Sequence, residues 1–582
     1  MEIKNLNLRK YKEEIVFIPL GGSNEIGLNC NLYQYGGKWI IVDCGIGFVK
    51  ELPGIDIMVP DTTFFKKFKK DILGIFLTHI HEDHLGAIQY IWKELRAPIF
   101  ASKFTKCFLY EKLKEYDFYN EVEINEMNEG DNVKLGPFEV ESLNLTHSTP
   151  EMNAFIIKTP KGNILHTGDW KFDPNPVVGQ KSNIKRLKQL GSRKEILATV
   201  CDSTNIFSER EKNSEGELYN SLYSIVKDKK GIVVFTTFAS NVGRIKTIAQ
   251  IAKKTKRKVV VIGSSLFRLI RVAKEVGFLE ENFEFLSEEE LKDYKKRNLI
   301  IISTGCQGEW RAGTEKLATN SLKNVHLRDG DCVIFSSSVI PGNEKDLISL
   351  YNKFAENDVE VITEKDDFVH VSGHYTLNDL KAFYSYVKPK IAIAVHGEAM
   401  HLLEHQKVAK SCGIKNTVKS TDGMILKISK EKTEKIGQID IKPSFVDGKR
   451  ILSLGDDIIK TRKKMEDVGV VFVDLLVTER YRLLQNPVVS APGGYDFVKD
   501  KVTKEILLED IITTYNNCIK QINDIRQNNK KRFTTEAEKQ HFIDQKLRTA
   551  INSLYDNDIG KKPYIEIFFT KIKQKSSTAS VK

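Results

Sequence analysis

The stretch LTHIHEDHLG, residues 77–86, contains three histidines and one aspartate between positions 79 and 84. The chain of 582 residues has only 12 histidines, so this is a strong local concentration. It follows the apolar run DILGIF, which predicts a buried strand, and it precedes a helix-like segment at 85–96. A loop in that position can aim several side chains at one point, and His nitrogen and Asp oxygen suit zinc. The stretch therefore predicts a metal site and not merely a polar turn.

Further candidate ligands occur in similar settings. His147 follows a strand-like run in NLTHSTPE, Asp169 follows one in ILHTGDW, and His396 follows one in IAIAVHGE. A single such residue is usually a cap or a turn residue. Three of them after apolar strands favour a shared site at one sheet edge.

Composition limits the class of protein. The chain is 41% hydrophobic and 29% charged, and it has no apolar run of 18 residues, so we expect a globular protein without a transmembrane helix. The N-terminus lacks a signal-peptide core, and the eight cysteines form no CxxC pair, which favours a reducing cytoplasm. The net charge of +11 fits a polyanionic partner, but it also fits a simple excess of lysine.

The chain changes its pattern along its length. Strand-like segments dominate to about residue 200, and from about 210 strands alternate with helices, which predicts a parallel α/β sheet. Strands return at 390–428. The last block predicts strands in VGVVFVDLLV, NPVVSAP and YIEIFFTKI, and long helices over about 503–527 and 535–555.

Taken together, these motifs resemble those of a known family. HxHxDH followed by distant His, Asp and His is the pattern of the metallo-β-lactamase superfamily, and the long α/β block before the last histidine resembles its β-CASP branch of nucleases. Within that branch the sequence resembles bacterial ribonuclease J, in particular its alphaproteobacterial type. The motifs that carry it are IPLGGSNEIGLN, LTHIHEDHLGAI, THSTPE, HTGDWKFDP, CDSTN, TTFASN, STGCQGE, FSSSVIPGNE, HVSGHYT and AVHGE. They cover about residues 14–450, and the remainder is similar more loosely.

The resemblance implies an α/β fold. This is a metallo-β-lactamase αββα sandwich with an inserted α/β β-CASP domain and a small α+β C-terminal domain. The expected boundaries are 1–209 and 366–450 for the two parts of the sandwich, 210–365 for the insert, 451–465 for a linker, 466–572 for the C-terminal domain and 573–582 for a disordered tail.

The resemblance also implies two zinc ions per chain, with Mn²⁺ or Mg²⁺ as possible substitutes. His79, His81 and His147 would hold one ion, Asp83, His84 and His396 would hold the other, and Asp169 would bridge them. A zinc pair would lower the pKa of water towards about 7 and neutralise charge on a phosphate.

Three residues carry the implied chemistry: Asp169, His374 in HVSGHYT as the proton donor, and Asp202 in CDSTN as its partner. The implied RNA contacts are Ala239, Ser240, Asn241, His370, Val371, Ser372, Gly373 and His374. Simpler interpretations stay open. His374 could be a structural loop histidine, Asp202 could cap a turn, and Ser240 or Asn241 could cap a helix.

These expectations describe a cytoplasmic, metal-dependent phosphodiesterase. It would be a zinc-dependent ribonuclease that cuts RNA internally and degrades it 5′→3′ from a monophosphate end, in RNA processing and decay. Its partner would be single-stranded RNA, its assembly a homodimer or homotetramer, and it would bind no membrane. The alternatives are a DNA-directed β-CASP nuclease, a small-molecule metallohydrolase and an inactive RNA-binding subunit.

Overall fold

A computed structural model describes residues 2, 6–209, 213–293, 298–527, 533 and 535–572. It contains two compact units, one formed by Met1–Phe48 and Ile57–Ile451, the other by Val49–Asp56 and Leu452–Lys582. The tail 573–582, predicted to be disordered, lies outside the described residues. Of the helices that are described, none is both long and apolar enough to cross a membrane.

The larger unit begins with a strand-rich region. Its strands are β1 (Ile15–Gly21), β2 (Cys30–Tyr35), β3 (Lys38–Val42), β4 (Gly47–Leu52, shared with the second unit), β5 (Ile55–Val59), β6 (Ile72–Phe76), β7 (Ile99–Ala101), β8 (Ile124–Glu126), β9 (Asn132–Leu135), β10 (Phe138–Asn144), β11 (Asn153–Thr159), β12 (Gly162–His166) and β13 (Ile196–Cys201). Its helices are α1 (Thr62–Phe68), α2 (Glu82–Leu85), α3 (Ile88–Leu95), α4 (Lys103–Leu113) and α5 (Ile184–Ser192).

Alternating helices and strands follow. The helices are α6 (Leu218–Asp228), α7 (Val242–Thr255), α8 (Ser264–Val276), α9 (Gly313–Ala318) and α10 (Glu344–Ala355). The strands are β14 (Val233–Thr236), β15 (Lys258–Ile262), β16 (Phe285–Leu286), β17 (Leu299–Ser303), β18 (Cys332–Phe335) and β19 (Glu360–Ile362). The chain then returns to the first region through α11 (Leu377–Val387), β20 (Ile391–Ala394), α12 (Ala399–Ser411), β21 (Asn416–Lys419), β22 (Met424–Ile428), β23 (Thr433–Gln438), β24 (Ser444–Asp447) and β25 (Arg450–Ser453).

Two sheets form a sandwich in the first region. One has the strand order β23-β22-β1-β2-β3-β6-β7-β8, and the other β21-β20-β13-β12-β11-β10-β9. Apolar side chains of both sheets share one core, which includes Phe17, Phe76, Phe155 and Ile393. Helices α1, α3 and α4 cover the outer face of the first sheet, and α5, α11 and α12 cover that of the second. This arrangement confirms the predicted αββα sandwich.

The inserted sheet is entirely parallel in its described pairings, with the order β16-β15-β17-β14-β18-β19. Successive side chains of β14 point to opposite faces, because the side-chain period of a strand is two. Val233 and Phe235 join the core formed with α6, α7 and α8, whereas Ile232 and Val234 join the core formed with α9 and α10. The predicted α/β insert is therefore present.

The smaller unit has a three-stranded sheet in the order β27-β26-β28. Its elements are α13 (Asp457–Val468), β26 (Val470–Thr478), β27 (Val488–Ser490), α14 (Lys501–Gln527), α15 (Glu536–Asp558) and β28 (Tyr564–Ile572). Strands β26 and β28 run parallel from Val470 and Tyr564, and the sheet and helices share one apolar core. The two predicted long helices and three strands are confirmed.

The segment 451–465 differs from the linker that was expected there. Most of α13 lies within it, and this helix buries Ile459 near its start and Val468 at its end. These apolar side chains give the segment a face to pack, although the sequence DDIIKTRKKMED is rich in charge. The domain boundaries themselves stay predictions.

Candidate metal centre

The candidate ligands gather at the ends of strands from both sheets of the sandwich. His79 and His81 follow β6, Asp83 and His84 lie in α2, His147 follows β10, Asp169 follows β12, and His396 follows β20. The structure thereby brings together all seven residues predicted as ligands. They form two groups that share Asp169, and the ligand atoms within each group lie within 4.8 Å of one another.

The first group contains His79, His81, His147 and Asp169. Nδ1 of His81 lies 2.9 Å from Nε2 of His79 and 3.1 Å from Nε2 of His147. Oδ2 of Asp169 lies 4.0 Å and 3.9 Å from the same two Nε2 atoms. Three imidazole nitrogens and one carboxylate oxygen thus point into one small space.

The second group contains Asp83, His84, Asp169 and His396. Oδ2 of Asp169 lies 3.2 Å from Nε2 of His84 and 3.4 Å from Nε2 of His396. Oδ2 of Asp83 lies 3.5 Å and 3.6 Å from the same nitrogens. The same Asp169 oxygen therefore serves both groups.

The three histidines of the first group are neutral at physiological pH, and this protonation state suits binding of a cation. Burial, with help from neighbouring imidazoles, holds the pKa of His79 and His147 well below the usual range and lowers the pKa of His81 to about 4. Nδ1 of His147 donates to the carbonyl oxygen of Gly373 at 2.7 Å, so Nε2 carries the lone pair. The three neutral rings can therefore offer lone pairs to a metal.

The second group is richer in negative charge. Burial opposes protonation of His84 and His396, but the nearby carboxylates, of which Asp169 acts most strongly, together outweigh it and raise the pKa of both. Burial of Asp169 is in turn outweighed by His396 and His84, which hold its pKa well below the usual range. Oδ1 of Asp169 is buried and has no hydrogen-bond partner among the described residues. A bound cation would satisfy such an orphaned oxygen, so these residues fit a metal.

Two supporting residues were not predicted from the sequence. Asp43 follows β3, and its Oδ2 accepts from Nδ1 of His84 at 2.7 Å. Thr78 donates its hydroxyl to Asp43 at 2.9 Å and lies 2.9 Å from Nδ1 of His79. Asp43 thus orients one ligand of each group. The run KWIIVDCG has the same strand-end acid as ILHTGD, and that signal could have found it.

Asn29 also reaches the second group. Its Nδ2 lies 3.1 Å from Nε2 of His84, 3.2 Å from Nδ1 of His396 and 3.5 Å from Oδ2 of Asp83. It lies just before β2, in a loop whose backbone bonds to Asp83 and Gly45. It is the last residue of the motif IPLGGSNEIGLN, but its place beside these ligands was not predicted from the sequence.

His374 lies beside the shared carboxylate. Its Nε2 is 3.9 Å from Oδ2 of Asp169, and its Nδ1 is 2.9 Å from Oδ2 of Asp202. Burial is outweighed by Asp202 and Asp169, which raise the pKa of His374 to about 9. The other oxygen of Asp202 accepts from the backbone N–H and the hydroxyl of Thr204 at 2.7 Å and 2.6 Å. The predicted pair is therefore assembled, and Asp202 makes the Asx-type turn as well.

A buried hydrogen-bond network supports the loop that carries Asp202. Ser203 bonds its backbone N–H to the carbonyl oxygen of His396 at 3.3 Å, and its hydroxyl lies 2.8 Å from Nδ1 of His405. The hydroxyl of Tyr384 lies 2.6 Å from Nε2 of His405. The side chains of Ser203, His405 and Tyr384 are all buried. Their hydrogen bonds connect α11 and α12 to the loops that carry Asp202 and His396.

One buried arginine contacts the first predicted RNA-binding segment and the residue just before the second. The backbone N–H of Arg244 donates to Oδ1 of Asn241 at 2.9 Å, which caps α7. Its guanidinium donates to the carbonyl oxygens of Ser336 at 2.8 Å and Val369 at 3.3 Å. Nδ1 of His370 also lies 3.3 Å from the Ser336 carbonyl oxygen. Ala239 and Ser240 are half-buried and Val371 is buried, so Val371 offers mainly its backbone to a ligand.

Comparisons with known proteins agree with this architecture. The family model "Metallo-beta-lactamase superfamily" matches residues 25–193, "Ribonuclease J, beta-CASP domain" matches 230–354, and "Zn-dependent metallo-hydrolase RNA specificity domain" matches 358–418. A solved structure described as a protein of unknown function from Enterococcus faecalis V583 aligns with a TM-score of 0.51 and 19% identity. It covers 71% of this chain and 99% of its own, and it supports the fold alone.

Three relatives that align over most of the chain carry the name "Ribonuclease J". The chain is 36% identical to "Ribonuclease J" of Sinorhizobium meliloti over 96% of its length and 98% of the relative. It is 31% identical to that of Helicobacter pylori (strain 26695), over 85% of the chain and 73% of the relative. It is 30% identical to that of Thermus thermophilus, over 80% of the chain and 83% of the relative.

A histidine and aspartate centre in an αββα sandwich with a β-CASP insert defines a metal-dependent nuclease of the metallo-β-lactamase superfamily. With relatives of this similarity and coverage, the chain belongs to the ribonuclease J family. It is an RNA-binding ribonuclease, and the comparisons give no support to the DNA-directed alternative.

Proposed function

We propose that this ribonuclease holds two zinc ions per chain and degrades single-stranded RNA both 5′→3′ from a monophosphate end and internally. His79, His81 and His147 would hold one ion, Asp83, His84 and His396 would hold the second, and Asp169 belongs to both groups of residues. The observation that carries the proposal is the single Asp169 oxygen shared by both groups, with Nε2 of His374 3.9 Å away. Manganese or magnesium could replace zinc.

The proposed reaction is hydrolysis of a phosphodiester. When bound, the metal ions supply Lewis acidity that favours deprotonation of water and neutralises charge growing on the phosphate. The oxygen of water adds to phosphorus and its released proton passes to solvent, while the bond from phosphorus to the 3′-oxygen breaks. Nε2 of His374 gives its proton to that leaving oxygen, while Asp202 holds Nδ1 and fixes the ring. Each cut leaves a 3′-hydroxyl on one fragment and a 5′-phosphate on the next.

The proposed end-binding pocket uses backbone groups and small side chains. Ser372 orients the backbone of His374, because its hydroxyl accepts from the His374 N–H at 3.1 Å. Gly373 contributes a peptide group, and Ala239, Ser240 and Asn241 precede the N-terminus of α7, which favours an anion. Since every cut creates a new 5′-phosphate, the same pocket can receive the shortened RNA and continue.

The cellular setting belongs to the same proposal. A ribonuclease with these activities acts in RNA processing and decay in the cytoplasm, and we propose that it works as a homodimer or homotetramer. Light scattering of the purified full chain measures the oligomer directly.

The test uses RNA and DNA of one sequence, labelled internally and bearing 5′-monophosphate, triphosphate or hydroxyl ends, together with circular RNA. We expect fast release of mononucleotides from monophosphorylated RNA, slow release from the other ends, and internal cuts in the circle. His374→Ala should keep two ions per chain by elemental analysis and lose both activities. Equal exonuclease rates on all three ends would contradict the pocket, and full activity of His374→Ala would contradict the proton donor.

A further inference from the structure

One aromatic side chain stands out on the surface of the inserted domain. The side chain of Trp310 is 69% exposed, whereas the other three tryptophans of the chain, Trp39, Trp92 and Trp170, are at most 4% exposed. The guanidinium carbon of Arg311 lies 4.1 Å from the Trp310 ring centroid. An exposed indole with a cation on its ring is a feature that aromatic and charged ligands can use.

Trp310 lies in the loop that follows β17, at the carboxyl edge of the parallel sheet. Gln307 fastens this loop to the one after β18, because its side chain donates to the Ser338 carbonyl oxygen and accepts from the Ile340 N–H, both at 2.9 Å. Val339 and Ile340 are 38% and 41% exposed. The two loops therefore present an apolar surface beside a guanidinium.

The same edge carries both RNA-binding segments of the proposed function. The loop after β18 begins at Ser336, whose carbonyl oxygen lies 3.3 Å from Nδ1 of His370. The Trp310 loop leads into α9, where the Thr314 hydroxyl donates to that of Thr236 at 2.9 Å. Thr236 ends β14, the strand before Ala239–Asn241. Ligands of open α/β sheets bind at this carboxyl edge.

We propose that Trp310 and Arg311 form a stacking site for a nucleobase of the bound single-stranded RNA, separate from the metal centre. Every base has a flat face that stacks on an aromatic ring, and the nearby guanidinium favours a polyanion. RNA fits better than a protein partner because the family is one of ribonucleases and the chain has a net charge of +11. The proposal rests on RNA as the substrate and on the two RNA-binding segments of the proposed function, and it does not depend on the proton donor proposed above.

Tryptophan fluorescence tests this directly. With the other indoles buried, emission at the red edge and its quenching by acrylamide report mainly on Trp310. The full chain carrying Asp169→Asn would be titrated with a short 5′-monophosphorylated oligoadenylate, so that the RNA stays intact. We expect the oligoadenylate to quench Trp310 and protect it from acrylamide. An abasic oligomer of the same length should do neither.

Affinity measured by polarisation of a labelled RNA provides the second readout. Trp310→Ala should weaken oligoadenylate binding about tenfold, about 1.4 kcal/mol, and Trp310→Phe should keep most of the affinity. Phe267→Ala, which removes another exposed aromatic residue from the same domain, is the matched control and should bind normally. The thermal midpoint of each variant shows that folding is unchanged.

The outcomes distinguish a failure of the stacking site from a failure of RNA as the substrate. Normal affinity of Trp310→Ala, or RNA that binds without altering Trp310 emission, would overturn the stacking site and leave the ribonuclease assignment intact. Tight binding of the abasic oligomer that Trp310→Ala does not weaken would do the same. Failure of the wild-type chain to bind or cut any RNA would overturn the substrate itself, and the stacking site with it.

Discussion

The carbonyl oxygen of Gly373 accepts a hydrogen bond from Nδ1 of His147 at 2.7 Å. A residue of the proposed phosphate pocket therefore orients a proposed metal ligand. The partner of the second ring nitrogen fixes the tautomer of a ligating histidine and its direction. In the proposed site, end recognition and metal binding thus share one residue, and changes at Gly373 should not separate them.

Gly373→Ala is predicted to impair both modes of cleavage. A Cβ at this position would lie 2.8 Å from the Ser148 hydroxyl and 2.9 Å from Cε1 of His147, so the ligand must move. We expect about a tenfold to hundredfold loss on linear monophosphorylated RNA and on circular RNA alike, with less bound metal. Gly455→Ala is the control, because no atom lies within 4 Å of its added Cβ. A loss confined to linear RNA would show that Gly373 serves the pocket alone.

Asp43→Asn is predicted to weaken both metal groups at once. Asp43 accepts from His84 directly and from His79 through Thr78, and an amide removes the charge that holds these bonds. The expected loss in metal affinity is about tenfold to a hundredfold. Competition with a chelator measures it, and Asp71→Asn, an exposed partner of Lys38, is the control. Metal affinity equal to that of the wild type would rule out this positioning role.

Strand-end polarity made the centre predictable from sequence. His79, His147, Asp169 and His396 each follow an apolar strand, and these strands, one in the first sheet and three in the second, end on the same side of the sandwich. Asn29 ends the motif IPLGGSNEIGLN, but its place beside the ligands was not predictable. Its contact with His396 joins residues 367 positions apart, and it depends on how the loop before β2 lies against α2. The exposure of Trp310 likewise depends on how the loops after β17 and β18 pack.

The buried side chain of His405 gives a prediction for how the stability of the protein depends on pH. Burial lowers the pKa of His405 to about 4, against the opposing carboxylate of Asp202, from 6.5 when exposed. Between these values the unfolded chain binds a proton that the folded chain does not, so stability falls as pH drops from about 6.5 towards 4. Over this range the free energy of unfolding falls by about 3 kcal/mol.

His405→Gln removes this titration and can still bond to Ser203 and Tyr384. Its thermal midpoint should therefore fall less steeply with acid than that of the wild type, whatever its value at neutral pH. Other histidines that titrate, such as His166, contribute equally to both proteins and cancel in the difference. Parallel curves for the two proteins would show that His405 titrates normally.

Arg244 is predicted to stabilise the junction between the sandwich and the inserted sheet. Its guanidinium is fully buried and donates to both carboxylate oxygens of Glu215, at 2.7 Å and 3.0 Å. The Glu215 N–H in turn donates to Asp173 of the sandwich at 3.0 Å. Removing one partner leaves a buried, uncompensated charge, which typically costs about 3–5 kcal/mol.

Arg244→Met should therefore lower the thermal midpoint by several degrees and weaken RNA binding, because the carbonyl oxygens of Val369 and Ser336 lose the guanidinium that joins them. Arg271→Met is the matched control. Arg271 pairs with Glu111 on the surface, where an ion pair contributes at most about 1 kcal/mol. The double variant Arg244→Met with Glu215→Gln should lose less stability than the two single variants lose together. The second change removes the carboxylate charge that Arg244→Met leaves buried and unpaired. Additive losses, or equal midpoints for Arg244→Met and Arg271→Met, would show that the buried pair does not hold this junction.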